Sequence, residues 1–101
     1  MQMAISTWVR GLPLGGKITA AGDIDISDDS TVETDTESTD NGSITVSNAT
    51  VRGNIATGGD VDIASSTVDN HVYQGAGFSC QSSMVNGLNC SEYTPKSYED
   101  Y

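Results

Sequence analysis

The sequence predicts an all-β protein, a single-stranded parallel β-helix (β-solenoid) of about 4–5 turns with ~17 residues in each turn. Three observations predict this fold: a short phrase recurs, its apolar residues recur at a constant offset, and they alternate with polar residues. The phrase reads Gly-Asp-Ile-Asp-Ile at 22–26, Gly-Ser-Ile-Thr-Val at 42–46 and Gly-Asp-Val-Asp-Ile at 59–63. Repetition at a fixed period is typical of proteins built from stacked repeats.

The best-defined offset between apolar positions is 17 residues. It relates Ile44 to Val61 and Val51 to Val68, and one further step leads to Phe78. If the turns stack in register, like residues form inward-facing columns. The predicted columns are Ile24, Ile44, Val61 and Phe78; Ile26, Val46, Ile63 and Cys80; Val32, Val51, Val68 and Val85; and Ile18, Ile55 and Val72.

The local pattern within each copy predicts short strands. Apolar residues alternate with polar ones, as in Ile24 and Ile26, which indicates a strand with one buried face. Gly, Asn, Asp and Ser recur every few residues and favour tight corners. A turn of about 17 residues accommodates about three such strands. A small antiparallel sandwich or barrel would also contain short strands, but it does not explain the constant offset.

The spacing also predicts how the chain is divided. The copies at Gly22 and Gly42 are 20 residues apart, and we assign the excess to an inserted acidic loop over 33–40. Leu14 and Ile18 have the spacing of Val51 and Ile55, so a partial turn precedes the first copy. We therefore expect an N-terminal cap or interface segment over 1–13, a solenoid domain over 14–90, and an extended C-terminal tail over 91–101.

The composition fits a narrow core and excludes some partners. Hydrophobic residues make up 36% of the chain and aromatic residues 6%, which suffices for a thin column of aliphatic side chains. The 14 acidic residues face only Arg10, Lys17, Arg52 and Lys96, and the net charge is −10. Binding to nucleic acid or to an anionic membrane surface requires clustered cations, so we expect neither partner. No apolar run approaches the ~20 residues of a membrane span, so we expect no direct membrane insertion by this segment.

Alternating aspartates on the repeated phrases raise the question of calcium. Asp23, Asp25, Asp60 and Asp62 should all point outward. Carboxylates and hydroxyls on neighbouring turns can ligate calcium. The sequence contains neither the EF-hand pattern nor the glycine-rich calcium nonapeptide, and the alternative is a plain solvated face. No cofactor is predicted.

The two cysteines lie ten residues apart, where the repeat stops. Cys80 falls in an inward column and could be a buried thiol. A Cys80–Cys90 disulfide would instead close a small loop across the open end of the solenoid. Such a bridge indicates an oxidising compartment, and hence an extracellular or cell-surface location. If the cysteines are free, the protein is cytoplasmic.

Aromatic residues at both ends are candidate interface positions. Trp8 and Val9 could cover the first turn as a lid or meet another protein subunit. The tail carries Tyr93, Tyr98 and Tyr101 among charged residues. It could lie along the solenoid as an extended segment, provide a strand to a partner, or remain a free coil.

The sequence predicts no enzymatic activity. His71 is the only histidine, and no nucleophile accompanies it in the sequence. The aspartates recur on the repeat, which suits a scaffold better than a single catalytic constellation.

The segment Ala49-Thr-Val-Arg-Gly-Asn-Ile-Ala-Thr-Gly-Gly-Asp-Val-Asp-Ile63 resembles the repeat unit of bactofilins, bacterial polymer-forming β-solenoid proteins. It is similar also to the β-solenoid regions of PilX-type pilus-associated proteins. Each resemblance implies a self-associating structural element. We therefore expect a structural or assembly module whose partners are other protein subunits, in an extracellular filament or pilus. The alternatives are a cell-surface adhesin or carbohydrate-binding module, and a bactofilin-like cytoskeletal polymer.

Overall fold

The computed structural model describes residues 7–10, 13–14, 18–27 and 29–101, and for residues 7–10 and 13–14 it describes the backbone alone. Over these residues the chain forms about four stacked turns, about 17 residues apart. Each complete turn contributes one short strand to each of three sheets. The predicted parallel β-solenoid is therefore confirmed, and the antiparallel sandwich is wrong.

The strands follow one another turn by turn. The first turn contains β1 (Thr7–Arg10), β2 (Pro13–Leu14) and β3 (Ile18–Ala20), and the second β4 (Ile24–Ser27), β5 (Thr31–Val32) and β6 (Thr36–Ser38). The third contains β7 (Ile44–Ser47), β8 (Thr50–Val51) and β9 (Ile55–Thr57), and the fourth β10 (Val61–Ala64), β11 (Thr67–Val68) and β12 (Val72–Gln74). The chain ends with β13 (Phe78–Gln81), β14 (Met84–Val85), β15 (Leu88–Asn89), a 3₁₀ helix (Cys90–Glu92), β16 (Lys96–Ser97) and a second 3₁₀ helix (Tyr98–Asp100).

Three sheets run parallel to the axis of the stack. Sheet 1 has the order β1-β4-β7-β10-β13, sheet 2 the order β2-β5-β8-β11-β14-β15, and sheet 3 the order β3-β6-β9-β12-β16. All these pairings are parallel except β14 with β15, which is antiparallel. The segment 1–13, for which we expected a cap or an interface, thus contributes β1 and the first residue of β2.

Aliphatic columns fill the interior, because like residues of successive turns are paired. Ile24 pairs with Ile44, which pairs with Val61, and Val32 pairs with Val51. The side chains of these five residues are at most 1% exposed. Burying a Val or Ile side chain contributes about 1.5–3 kcal/mol each. The four predicted columns are all present in the register.

The prediction of an exposed inserted loop over 33–40 is wrong. Thr36 and Ser38 lie in strand β6 and are 0% exposed, and Thr36 pairs with Ile18 and Ile55 inside the fourth column. A hydroxyl residue thus occupies an aliphatic position, which hid the strand from a search for apolar residues. The register places the additional residues of this turn at two corners, before β5 and between β6 and β7.

Buried hydroxyls and glycines shape the corner between sheets 3 and 1. Ser38 Oγ donates to Gly22 O at 2.8 Å and accepts from Gly42 N at 3.0 Å. In the next turn Thr57 Oγ1 donates to Gly42 O at 2.6 Å and accepts from Gly59 N at 3.0 Å. A Cβ atom at Gly42 would overlap the carbonyl group of Gly22. Only glycine therefore lets the backbones of successive turns approach this closely.

Candidate functional site: the two ends and outer faces of the solenoid

The outer face of sheet 1 separates its acidic side chains. Those considered for calcium were Asp23, Asp25, Asp60 and Asp62. Asp25 and Asp62 flank Thr45 in one column, so their backbones are about 9.5 Å apart, twice the strand spacing. Asp23 Oδ1 accepts a hydrogen bond from Ser43 N at 2.9 Å. Within the described part of the chain, no group of three or more His, Cys, Asp or Glu side chains could hold a metal ion.

The outer face of sheet 2 carries a column of threonines. Thr31 pairs with Thr50, which pairs with Thr67, and each is at least partly exposed. Their spacing is the strand spacing of about 4.8 Å. The column continues to Met84, which is 43% exposed. This face is therefore a narrow row of hydroxyl and methyl groups without charge.

Two grooves lie near sheet 2. One, of about 540 Å³, is lined by Cys80, Ser82, Ser83, Met84, Asn89, Cys90 and Ser91. The other, of about 250 Å³, is lined by Asp29, Ser30, Asn48, Ala49, Thr50, Ser65, Ser66 and Thr67. Both offer serine hydroxyls, but neither lining includes a histidine that could act as a general base.

The C-terminal end of the stack is covered by the chain itself. Strand β15 pairs with β14 at the edge of sheet 2, and β16 pairs with β12 at the edge of sheet 3. At the edge of sheet 1, Cys80 in β13 forms a disulfide with Cys90, with Cα atoms 5.5 Å apart. The predicted disulfide is confirmed. Closing this loop contributes about 3 kcal/mol in the chain-entropy model.

Tyr93 completes this cover. Its side chain is 8% exposed, and its ring lies 6.1 Å from that of Phe78. Its hydroxyl accepts a hydrogen bond from Val72 N at 2.9 Å and lies 3.1 Å from His71 Nδ1. Burial raises the pKa of the Tyr93 phenol above its usual value, the Val72 hydrogen bond opposes this effect, and Tyr73 adds to it.

The hydroxyl of Tyr93 replaces the backbone of an absent next turn. At the corresponding positions Thr36 N donates to Asn54 O, and Ile55 N donates to His71 O. Val72 has no such carbonyl after it and donates to Tyr93 instead. Tyr93, one of the candidate interface residues, is therefore engaged inside its own chain.

A second contact of the C-terminal segment crosses sheet 3. Tyr98 Oη donates to Glu37 Oε2 at 2.7 Å, and Tyr101 Oη donates to Asp35 Oδ2 at 2.7 Å. We call residues 96–101, which run from β16 through these two contacts, the C-terminal clamp. Ala56 pairs with outward-facing Glu37 and yet is 0% exposed, although it lies on the outer side of β9. The expected tail thus folds back along the solenoid.

The corner between sheets 2 and 3 positions the residues that receive the tail. Asp35 Oδ1 accepts from Asn54 N at 2.8 Å, and Asn54 Oδ1 accepts from His71 N at 3.0 Å. This ladder fixes Asp35 and His71 on successive turns. Sequence reasoning missed Asp35, Glu37 and Asn54 as contact residues. The alternation of Asp35 and Glu37 with the inward Thr36 was the available signal.

The N-terminal end differs from the C-terminal end. Trp8 and Val9 lie in strand β1, which pairs with β4 on one side. Among the described residues, no strand pairs with the other side of β1. Residues 1–22 contain Arg10 and Lys17 and no acidic residue, whereas all 14 acidic residues follow. The first turn is therefore the part of an acidic chain that carries positive charge.

Comparison of the chain with protein-family models, curated proteins and solved structures yielded no match. Among the described residues, no helix is long and apolar enough to cross a membrane. The functional argument therefore depends on the ends and outer faces of the solenoid.

Proposed function

We propose that the chain is a non-enzymatic structural module that assembles with other protein subunits through the N-terminal end of its solenoid. The observation that carries this proposal is the difference between the two ends. Strands β15 and β16 and the disulfide cover the C-terminal edges, while the outer edge of β1 has no partner strand among the described residues. Unpaired strand edges readily pair with another chain.

The location that we propose is extracellular or at the cell surface. The Cys80–Cys90 disulfide supports it, because such bonds persist in oxidising environments and are rare in the cytosol. The setting that we propose is a filament or pilus. Since one end is covered, the module would occupy a position where the stacking of solenoid turns stops.

Mass measurement over a wide concentration range tests the proposal. Size-exclusion chromatography with light scattering on the disulfide-bonded protein should show a mass that rises with concentration toward a discrete oligomer. A strict monomer at every concentration would overturn the proposal.

The threonine column of sheet 2 favours a second candidate function, the binding of a carbohydrate surface. Thr31, Thr50 and Thr67 present hydroxyl and methyl groups at a constant spacing. On a glycan array, Thr50→Val should weaken binding, and Thr45→Val on the outer face of sheet 1 should not. Equal effects of the two substitutions, or no bound glycan, would contradict this candidate.

A further inference from the structure

We propose that the partner at the N-terminal end is a second copy of this chain, with β1 of one copy paired antiparallel to β1 of the other. This inference rests on the proposed function, because it names the subunit with which the module assembles. The result is a closed dimer in which sheet 1 continues across the contact.

The backbone of β1 has hydrogen-bonding groups directed to its outer edge. Along a parallel strand, alternate residues direct both N–H and C=O to the same neighbour. Ile24 N donates to Ser43 O in the following turn, so Asp25 faces back toward β1. Thr7 pairs with Ile24 and also faces the following turn. By alternation, the backbone groups of Trp8 and Arg10 face the outer edge.

A two-fold axis satisfies these groups reciprocally. If Trp8 of each copy lies opposite Arg10 of the other, each pair exchanges both of its backbone hydrogen bonds. A two-fold contact of this kind uses the same surface on both copies and stops at two.

The C-terminal end is a poor partner for β1. A further turn in register would need the edges of β12, β13 and β14 together. Strand β16 covers β12, β15 covers β14, and Cys90 is bonded to Cys80 beside β13. Head-to-tail stacking therefore requires that the chain's own cover be removed first.

Charge also favours the first turn as the contact. The chain has a net charge of −10, so most surfaces of two copies repel each other. Residues 1–22 contain no Asp or Glu, and two copies that meet there keep their carboxylates apart.

A pair of substitutions at Trp8 tests strand pairing. Trp8→Pro removes the outward N–H and leaves the bonds between β1 and β4 intact, because that N–H does not face β4. Trp8→Val removes the indole and keeps the N–H. We expect the wild type to reach a plateau at the mass of two chains, Trp8→Val to retain the dimer, and Trp8→Pro to raise the dissociation constant more than about tenfold. Circular dichroism checks that both variants stay folded.

The outcomes separate the two proposals. A strict monomer overturns the proposed function itself. A mass that grows beyond two chains, or a dimer that Trp8→Pro leaves intact, overturns β1 pairing and leaves assembly standing. Dissociation by Trp8→Val as well would show that the side chain, rather than the strand edge, forms the contact. If Trp8→Pro unfolds, concentration-dependent protection of the Trp8 and Arg10 amides in the wild type decides, and its absence overturns the pairing.

Discussion

At the scale of single residues, the hydroxyl groups inside the solenoid differ in whether they have a partner. Thr57 and Ser38 each donate one hydrogen bond and accept another at the corner between sheets 3 and 1. Thr36 is 0% exposed, and its Oγ1 has no hydrogen-bond partner. A buried hydroxyl without a partner costs about 1–3 kcal/mol. Strand β6 is therefore held in the stack at a local cost.

Replacing this hydroxyl should stabilise the protein. Thr36→Val keeps the shape of the side chain and should raise the free energy of unfolding by about 1 kcal/mol. Thr57→Val is the matched control, and it should lower the same free energy by about 1–3 kcal/mol because it leaves Gly42 O and Gly59 N unpaired. Denaturant unfolding measures both. A loss of stability in Thr36→Val as large as that in Thr57→Val would contradict the assignment.

Tyr93 makes stability depend on alkaline pH. Its pKa is raised in the folded chain, mainly by burial, above the ordinary value of about 10. The unfolded chain therefore loses the proton first, so this contribution is complete below pH ~10 and is lost as the pH rises through the folded pKa. Denaturant midpoints should fall less steeply between about pH 8 and about pH 11 in Tyr93→Phe than in the wild type. Equal slopes would contradict this role.

At the scale of elements, the C-terminal clamp joins parts of the chain that are far apart in sequence. Tyr98 reaches Glu37 over 61 residues, and Tyr101 reaches Asp35 over 66 residues. Both carboxylates flank Thr36 on β6, the strand that contains the unpartnered hydroxyl. The clamp thus fastens the last element of the chain to a strand of the second turn.

Loss of the clamp should loosen β6. Tyr98→Phe removes a partly buried hydrogen bond to a carboxylate and should cost about 1–2 kcal/mol. Tyr101→Phe removes an exposed one and should cost less. Hydrogen exchange by mass spectrometry should show faster exchange over Thr36–Ser38 in Tyr98→Phe than in Tyr101→Phe. Unchanged exchange over β6 in both variants would show that the tyrosines do not hold this strand.

Elements that repeat were predictable from the sequence, and elements that depend on one unique contact were not. The constant offset placed Val51 beneath Val68 because stacked turns repeat one local structure. The same offset links Val9 to Ile26, so it also contained the signal for β1. Strand β6 escaped because threonine stands for an aliphatic residue. The contact of Tyr98 with Glu37 has no counterpart in any other turn, so no pattern announces it.

At the scale of the whole molecule, an elongated body has two unlike ends. The principal extents are 41 × 29 × 19 Å. A disulfide, two returning strands and Tyr93 cover one end, whereas the other presents β1 and the cationic first turn. A stack of identical turns has equivalent ends by construction, so the unlike ends come from residues that break the repeat. These residues decide which surface is left for a partner.

Amide hydrogen exchange of the dilute, monomeric protein, followed by NMR, tests the difference between the ends most directly. The Val72 amide, whose acceptor is the Tyr93 hydroxyl, should exchange as slowly as the Ile55 amide inside sheet 3. The Trp8 amide at the outer edge of β1 should exchange quickly. A Val72 amide that exchanges as fast as that of Trp8 would mean that the C-terminal end is open and would contradict the account.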